Sequence, residues 1–203
     1  MRRVGIRELL DSPEEIAELS RVLRAGGVAA VPTETFYGLA ADPRSEAGVA
    51  RVRAMKGRES DKALLVLFAE RRQLDGLGIL ARRETLDRFF AVWPAPLTVV
   101  LPLSAAIPAS CGASTLAVRM PAHGPLRELL ARVGPLTGTS LNRSGEPPCR
   151  IAEDAAGLLD TEIDVFVDGG ATPGGLPSTL LDATREPPVV LRQGAFVWPA
   201  GPC

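Results

Sequence analysis

Apolar positions at Ile16, Leu19, Val22 and Leu23 recur at the 3.6-residue period of a helix with one buried face. Ser12-Pro13-Glu14-Glu15 supplies its start: a hydroxyl N-cap, a proline in the first turn and a glutamate three residues after the cap. Gly26-Gly27 ends it. Val28-Ala29-Ala30-Val31 then reads as a short buried strand stopped by Pro32. A second helix is expected over 45–55 with Ser45 as cap, followed by the polar loop Lys56–Lys62. The apolar run Leu64–Phe68 predicts a strand covered on both faces. Further helices are expected over 82–92, 125–132 and 151–159. Strands are expected at Leu97–Leu101, Thr115–Val118, near Pro135–Ser140, and at Val165–Val167, Thr179–Leu181 and Val189–Leu191. Helices and short strands alternate, so the class is α/β with a mixed sheet.

The 203 residues suit one domain, 1–203, and no repeat, low-complexity tract or linker divides them. No run of 18 apolar residues marks a membrane span, and Met1–Glu8 is too charged for a signal peptide. Cys111, Cys149 and Cys203 lack metal or disulfide spacing and are expected to be reduced thiols of a cytoplasmic protein. One histidine leaves almost no scope for a Cys/His metal site. A net charge of −1 and 4% aromatic residues give neither the electrostatic footprint nor the stacking platform of a general nucleic-acid binder.

Scarcity carries more information than abundance. Of 23 basic residues only Lys56 and Lys62 are lysine, and both fall in one seven-residue window. An ammonium is a compact point charge, unlike the planar guanidinium fork. In an extended loop Lys56 and Arg58 would point the same way, with Gly57 letting the backbone approach a ligand. Converging cations suit a polyphosphate or a carboxylate, with a solvated charged loop as the alternative. Thr137–Gly145 is rich in hydroxyls that could meet phosphate oxygens, or is a conformational turn. Pro32–Leu39 follows a strand, where α/β sheets bind ligands. Arg119 could clamp a carboxylate. Ser178-Thr179 and Leu191–Gly194 look like contacts at strand edges, and His123 like a satisfied surface histidine. There is no phosphate-loop, dinucleotide-binding, nucleophile-elbow or kinase signature.

Taken in order, Pro32–Leu39, Lys56–Lys62, Trp93–Thr98, Val118–Pro121, Thr139–Gly145 and Leu191–Gly194 resemble the motifs of the YrdC-like family, most closely its short single-domain bacterial form. The resemblance implies a twisted α/β sheet with a concave basic cavity. It implies an enzyme forming L-threonylcarbamoyl-adenylate and pyrophosphate from L-threonine, bicarbonate and ATP with Mg²⁺. The Mg²⁺ would be carried by the nucleotide, not by protein side chains. The product would serve threonylcarbamoylation of adenosine 37 in tRNAs reading ANN codons, through the transferase complex of TsaD, TsaB and TsaE, with local tRNA contact possible and no membrane. Carried over by motif, Lys56 and Arg58 would hold the reacting anions. Arg58, Lys62, Thr115, Ser140, Asn142, Arg150 and Arg192 would bind ATP. Thr35, Arg119 and Ser178 would bind threonine. Three departures stand out: Glu59 and Ala63 replace prolines, Leu67 replaces a histidine that contacts threonine in longer members, and Leu141 replaces alanine. The competing readings are an RNA- or nucleotide-binding module without chemistry, and a paralogue with another carbamoyl acceptor.

Overall fold

The structure, a computed structural model, describes residues 1–57, 62–143, 145–155 and 162–199. The chain opens with β1 (Arg2–Gly5), α1 (Ile6–Asp11), α2 (Pro13–Arg24), β2 (Ala29–Val31), β3 (Gly38–Ala40) and α3 (Glu46–Met55). Then come β4 (Val66–Leu67), α4 (Arg71–Leu77), α5 (Arg83–Phe90), β5 (Leu97–Pro102), β6 (Thr115–Arg119) and α6 (Gly124–Val133). The last third holds β7 (Leu136–Thr137), β8 (Thr139–Ser140), β9 (Val165–Asp168), β10 (Thr179–Asp182) and β11 (Val189–Arg192).

Local signals explain the helix starts. Ser12 Oγ accepts from Glu15 N at 3.2 Å, and Ser45 Oγ accepts from Gly48 N at 3.1 Å. Each satisfies an orphan amide of a first turn. His123 does the same for α6, its Nδ1 accepting from Leu126 N at 3.2 Å. Burial holds its pKa below the usual histidine value, which keeps the capping nitrogen unprotonated. The single histidine is therefore a cap.

The expected mixed sheet is two mixed sheets. One has the order β1-β9-β2-β3-β8, the other β11-β10-β5-β6-β4-β7. Side-chain alternation along the strands separates two cores. Val28 and Ala30 join the cluster between the sheets, whereas Ala29 and Val31 join the one under α1, α2 and α6. Val66 and Phe68 divide from Leu67 in the same way.

The run Leu64–Phe68 is buried as expected apart from the half-buried Leu65, but only Val66–Leu67 is strand, since β4 pairs two residues on each side. β1, α1, β3 and α4 have too few apolar positions to stand out in the sequence. The helix expected over 151–159 is a single 3₁₀ turn at Ala152–Ala155, and its remainder lies outside the described residues.

The segment near Pro135–Ser140 bridges the sheets. Leu136–Thr137 pairs with β4, and Thr139–Ser140 pairs with β3. Gly138 sits at the crossing, where an added Cβ would lie 2.5 Å from the Leu67 side chain. Thr137 Oγ1 accepts from Ala41 N at 2.9 Å and donates to Leu39 O at 3.1 Å. Thr137 thus serves the crossing and not a ligand.

Candidate functional site

A cavity of about 520 Å³ opens where the chain crosses between the sheets. Its wall includes Thr33, Thr35, Lys62, Thr98, Arg119, Ser140, Ser178 and Arg192, and no acidic residue among those described. Six expected site residues meet there: Thr35, Lys62, Arg119, Ser140, Ser178 and Arg192. They come from six separate stretches of chain, so only the fold assembles them.

One end is buried. Arg119 closes β6 and pairs through Nη2 with Glu34 Oε1. Thr33 Oγ1 and Thr35 Oγ1 share a hydrogen bond of 3.1 Å, and the Thr33 hydroxyl donates to Phe36 O at 2.7 Å. Ser178 Oγ and Thr98 Oγ1 share one of 2.8 Å. Ser178 O accepts from Arg192 Nη2 at 2.8 Å, which ties the end of β11 to the wall. Gly194 is required there, because a Cβ would approach Pro177 O to 2.2 Å.

The other part of the wall carries the exposed Lys62 and Ser140, the first residue of the Ser140–Asn142 segment. Lys56 stands behind that segment, only 1% exposed. Its Nζ donates to Ser140 O and Asn142 O, each at 2.7 Å, and to Asn142 Oδ1. Ser140 Oγ also donates to Asn142 Oδ1 at 2.7 Å. A buried ammonium among carbonyl oxygens shapes the rim and raises the potential there, from behind the wall.

This revises the extended-loop argument. Lys56 keeps helical dihedrals as the C-cap of α3, and Gly57 adopts φ +60° with open space where a Cβ would lie. Gly57 ends a helix. Arg58 and Glu59 lie outside the described residues.

Thr115, Asn142 and Arg150 are not on the wall. Thr115 begins β6 on the side-chain face of Ala117 and Arg119, farther along the strand. Arg150 donates from Nε to Thr172 O at 3.2 Å and lies against Gly174, whose N–H donates to Thr35 O at 2.7 Å. It therefore braces the loop behind Thr35. Leu141 turns its bulk into the core and leaves Ser140 and Asn142 undisturbed. Leu67 is fully buried in the second core cluster, in register with Arg119 and packed under Gly138. Ala63 lines the wall. Tyr37 is structural: its hydroxyl donates to Gly170 O at 2.8 Å, and burial pushes its pKa up to about 12.

Glu34 and Thr98 went without a role in the sequence reading. Both sit inside quoted motifs, and a carboxylate within Pro32–Leu39 was the available signal for Glu34.

Among the described residues no group of three or more His, Cys, Asp or Glu could hold a metal ion, and no helix is long and apolar enough to cross a membrane. Cys111 and Cys149 are free thiols.

Comparison with known proteins places these features. A family model described as "Telomere recombination", Sua5_yciO_yrdC, matches residues 21–194. The chain is 39% identical over 200 residues to the threonylcarbamoyl-AMP synthase of Pyrococcus abyssi, covering 95% of this chain and 57% of that protein. The Bacillus subtilis protein of the same name is 38% identical, with 56% of it covered. The chain thus spans just over half the length of these two curated relatives. A Vibrio vulnificus protein of that name is 36% identical with 98% covered, so both length classes match. The structure of P. abyssi Sua5 complexed with L-threonine superposes with a TM-score of 0.82 at 36% identity, covering 95% of this chain and 56% of that one. Escherichia coli YciO, at 22% identity and a TM-score of 0.77 over 90% of both chains, shares the fold. With a family model matched over residues 21–194 and one cavity lined from several of the motifs it contains, the chain belongs to the Sua5/YciO/YrdC family.

Proposed function

We propose that the chain is an L-threonylcarbamoyladenylate synthase, joining L-threonine, bicarbonate and ATP into threonylcarbamoyl-AMP with release of pyrophosphate. One observation carries the reading. A single cavity is lined by a buried guanidinium, by threonine and serine hydroxyls and by an exposed lysine. Two anionic reactants would have to meet in such a space. The name shared by the relatives and the threonine complex of P. abyssi Sua5 support the same reading.

Threonine would lie with its carboxylate on Arg119 and its hydroxyl toward Thr35 or the Thr98–Ser178 pair. Its neutral amine nitrogen attacks the bicarbonate carbon, the C–OH bond breaks, and that hydroxyl leaves as water with a proton from the amine, giving a carbamate. A carbamate oxygen then attacks the α-phosphorus of ATP, the bond to the bridging oxygen breaks, and pyrophosphate leaves with that electron pair. The chain contributes position and charge: Lys62 and Arg192 offset phosphate charge, and Ser140 presents its hydroxyl from the rim that Lys56 holds. Arg58, Thr115, Asn142 and Arg150 complete the nucleotide side by motif. Mg²⁺ fits as an ion arriving on the triphosphate, since hydroxyl and carbonyl oxygens can accept from the water shell of a metal already bound to phosphate. When bound, it neutralises phosphate charge. A cytoplasmic location, supply to the TsaD, TsaB and TsaE complex, and modification of adenosine 37 in ANN-decoding tRNAs belong to the same proposal.

Pyrophosphate release from ATP, with threonine and bicarbonate omitted in turn, tests it. Dependence on both is expected. Release without either, or none with both, overturns the reading.

A further inference from the structure

Glu34 Oε2 and Arg119 Nε are buried side-chain polar atoms without a hydrogen-bond partner among the described residues. These belong to the two halves of one ion pair, Arg119 Nη2 with Glu34 Oε1, whose side chains are 5% and 14% exposed. A guanidinium and a carboxylate can meet as two parallel forks. Here they meet through one atom each, leaving a donor and an acceptor buried without a match. The in-register neighbour of Arg119 on β4 is Leu67, an aliphatic side chain that offers no substitute. His123 lies close enough to feel the Glu34 charge, but burial favours its neutral form, so it supplies no second cation. Arg119 is on the cavity wall, and Glu34 is held behind it between Thr33 and Thr35, which are also on the wall.

We propose that Glu34 makes Arg119 selective for zwitterionic α-amino acids over anions that lack an ammonium group. An incoming carboxylate takes the free Nε edge of Arg119 and displaces Glu34 from Nη2. The displaced Glu34 is then a buried carboxylate without its cation, a costly state. An amino acid brings an α-ammonium that neutralises it. A simple carboxylate brings nothing, so its binding carries the full penalty, and discrimination comes from the repulsive element. This deepens the proposed function and rests on it. Its use there is specific: bicarbonate and the ATP phosphates are both anions without an ammonium, and both must stay off the threonine site. Glu34 is a specificity-determining residue in this account, and it takes no proton.

The test is calorimetric titration of wild-type protein and Glu34→Gln with L-threonine and with its α-hydroxy counterpart, 2,3-dihydroxybutyrate of matching configuration. Wild type is expected to prefer threonine by about 100-fold or more, as sites with buried charged partners reject analogues lacking the matching group. Glu34→Gln is expected to shrink that preference about tenfold, weakening threonine and strengthening the hydroxy acid. A merely structural role would weaken both alike. A preference unchanged in Glu34→Gln overturns the inference. So does wild-type binding of the two ligands within about threefold, a measurement that decides the matter even where circular dichroism shows the variant unfolded. Wild type that binds ATP but no threonine sinks the proposed function instead, so the two failures are distinguishable.

Discussion

The two ends of the cavity are built on different principles. At the Arg119 end the side chains are buried and already paired: Arg119 with Glu34, Thr33 with Thr35, Thr98 with Ser178. The strand termini of β6 and β10 and the start of β5 bring them in, with strand neighbours fixed by ladder hydrogen bonds. At the Ser140 end the ligand-facing groups are a loop rim and an exposed lysine, organised from behind by one buried ammonium. A short amino acid is recognised by shape and by a few matched polar groups, which favours a preformed wall. A polyphosphate is recognised mainly by charge, which tolerates flexible cations as long as the rim is held. The contrast teaches that one buried charge at each end does organising work of opposite kinds. Lys56 gathers a loop, and Glu34 restrains a guanidinium.

The largest way to break this contrast is Lys56→Ala. It would remove the charged donor shared by Ser140 O, Asn142 O and Asn142 Oδ1, leaving Ser140 O to the Asn142 amide and Asn142 Oδ1 to the Ser140 hydroxyl, and should cost roughly 3 kcal/mol of stability, given the strength of hydrogen bonds to charged groups. Denaturant unfolding reads that loss, and pyrophosphate release should fall with it. Lys56→Arg should fail to restore the rim, because the planar fork does not fit a site shaped for a point charge. Full stability in Lys56→Ala would remove Lys56 from its organising role.

Next in size is Gly138→Ala. The new methyl meets Leu67 at a distance that no core contact tolerates, so a loss of about 1–3 kcal/mol is expected. Leu67→Ala in the same chain should recover part of it, and a double-mutant cycle measures the coupling. Additive losses would show that the sheet crossing does not depend on this approach.

Thr98→Val sharpens the comparison from the buried end. It removes the partner of the Ser178 hydroxyl while keeping side-chain volume, so the apparent affinity for threonine should fall about tenfold with ATP affinity unchanged, a change of about 1.4 kcal/mol. Equal losses for both ligands would mean that the two ends are not separable. The smallest effect is expected at the exposed cation. Lys62→Ala should weaken ATP only a few-fold, with the difference shrinking as salt is raised and stability unaffected. A salt-independent loss would place Lys62 in a buried contact instead.

Much of this was legible in the chain because it rests on short-range rules. Ser12 and Ser45 cap the helices they precede, and α2, α3, α5 and α6 follow the apolar period. The central strands β2, β5, β6, β9 and β10 fall where apolar and β-branched residues cluster. The site residues on strand ends, Arg119, Ser178 and Arg192, stand out for the same reason: their strands are regular and their motifs contiguous. Lys56 was legible as a residue of note but not as a buried one. As the C-cap of α3 it reaches carbonyls 84 and 86 positions away, and no local pattern shows those contacts. β3 escaped because so short a segment carries no period, whereas β4, β7 and β8 lie within stretches expected to be strand and differ only in length.

By itself the amino-acid order determined the class, the helix caps, the strand cores and the set of motifs, since each follows from neighbours within a few residues. Only the tertiary structure decided that the strands divide into two sheets, that Gly138 must pass beneath Leu67, and that Glu34 stands against Arg119, 85 positions away in the chain. Those outcomes depend on which distant surfaces bury one another and which buried charges then find a partner. No local pattern encodes such pairing, because the cost of an unmatched buried group arises only after the chain has closed around it.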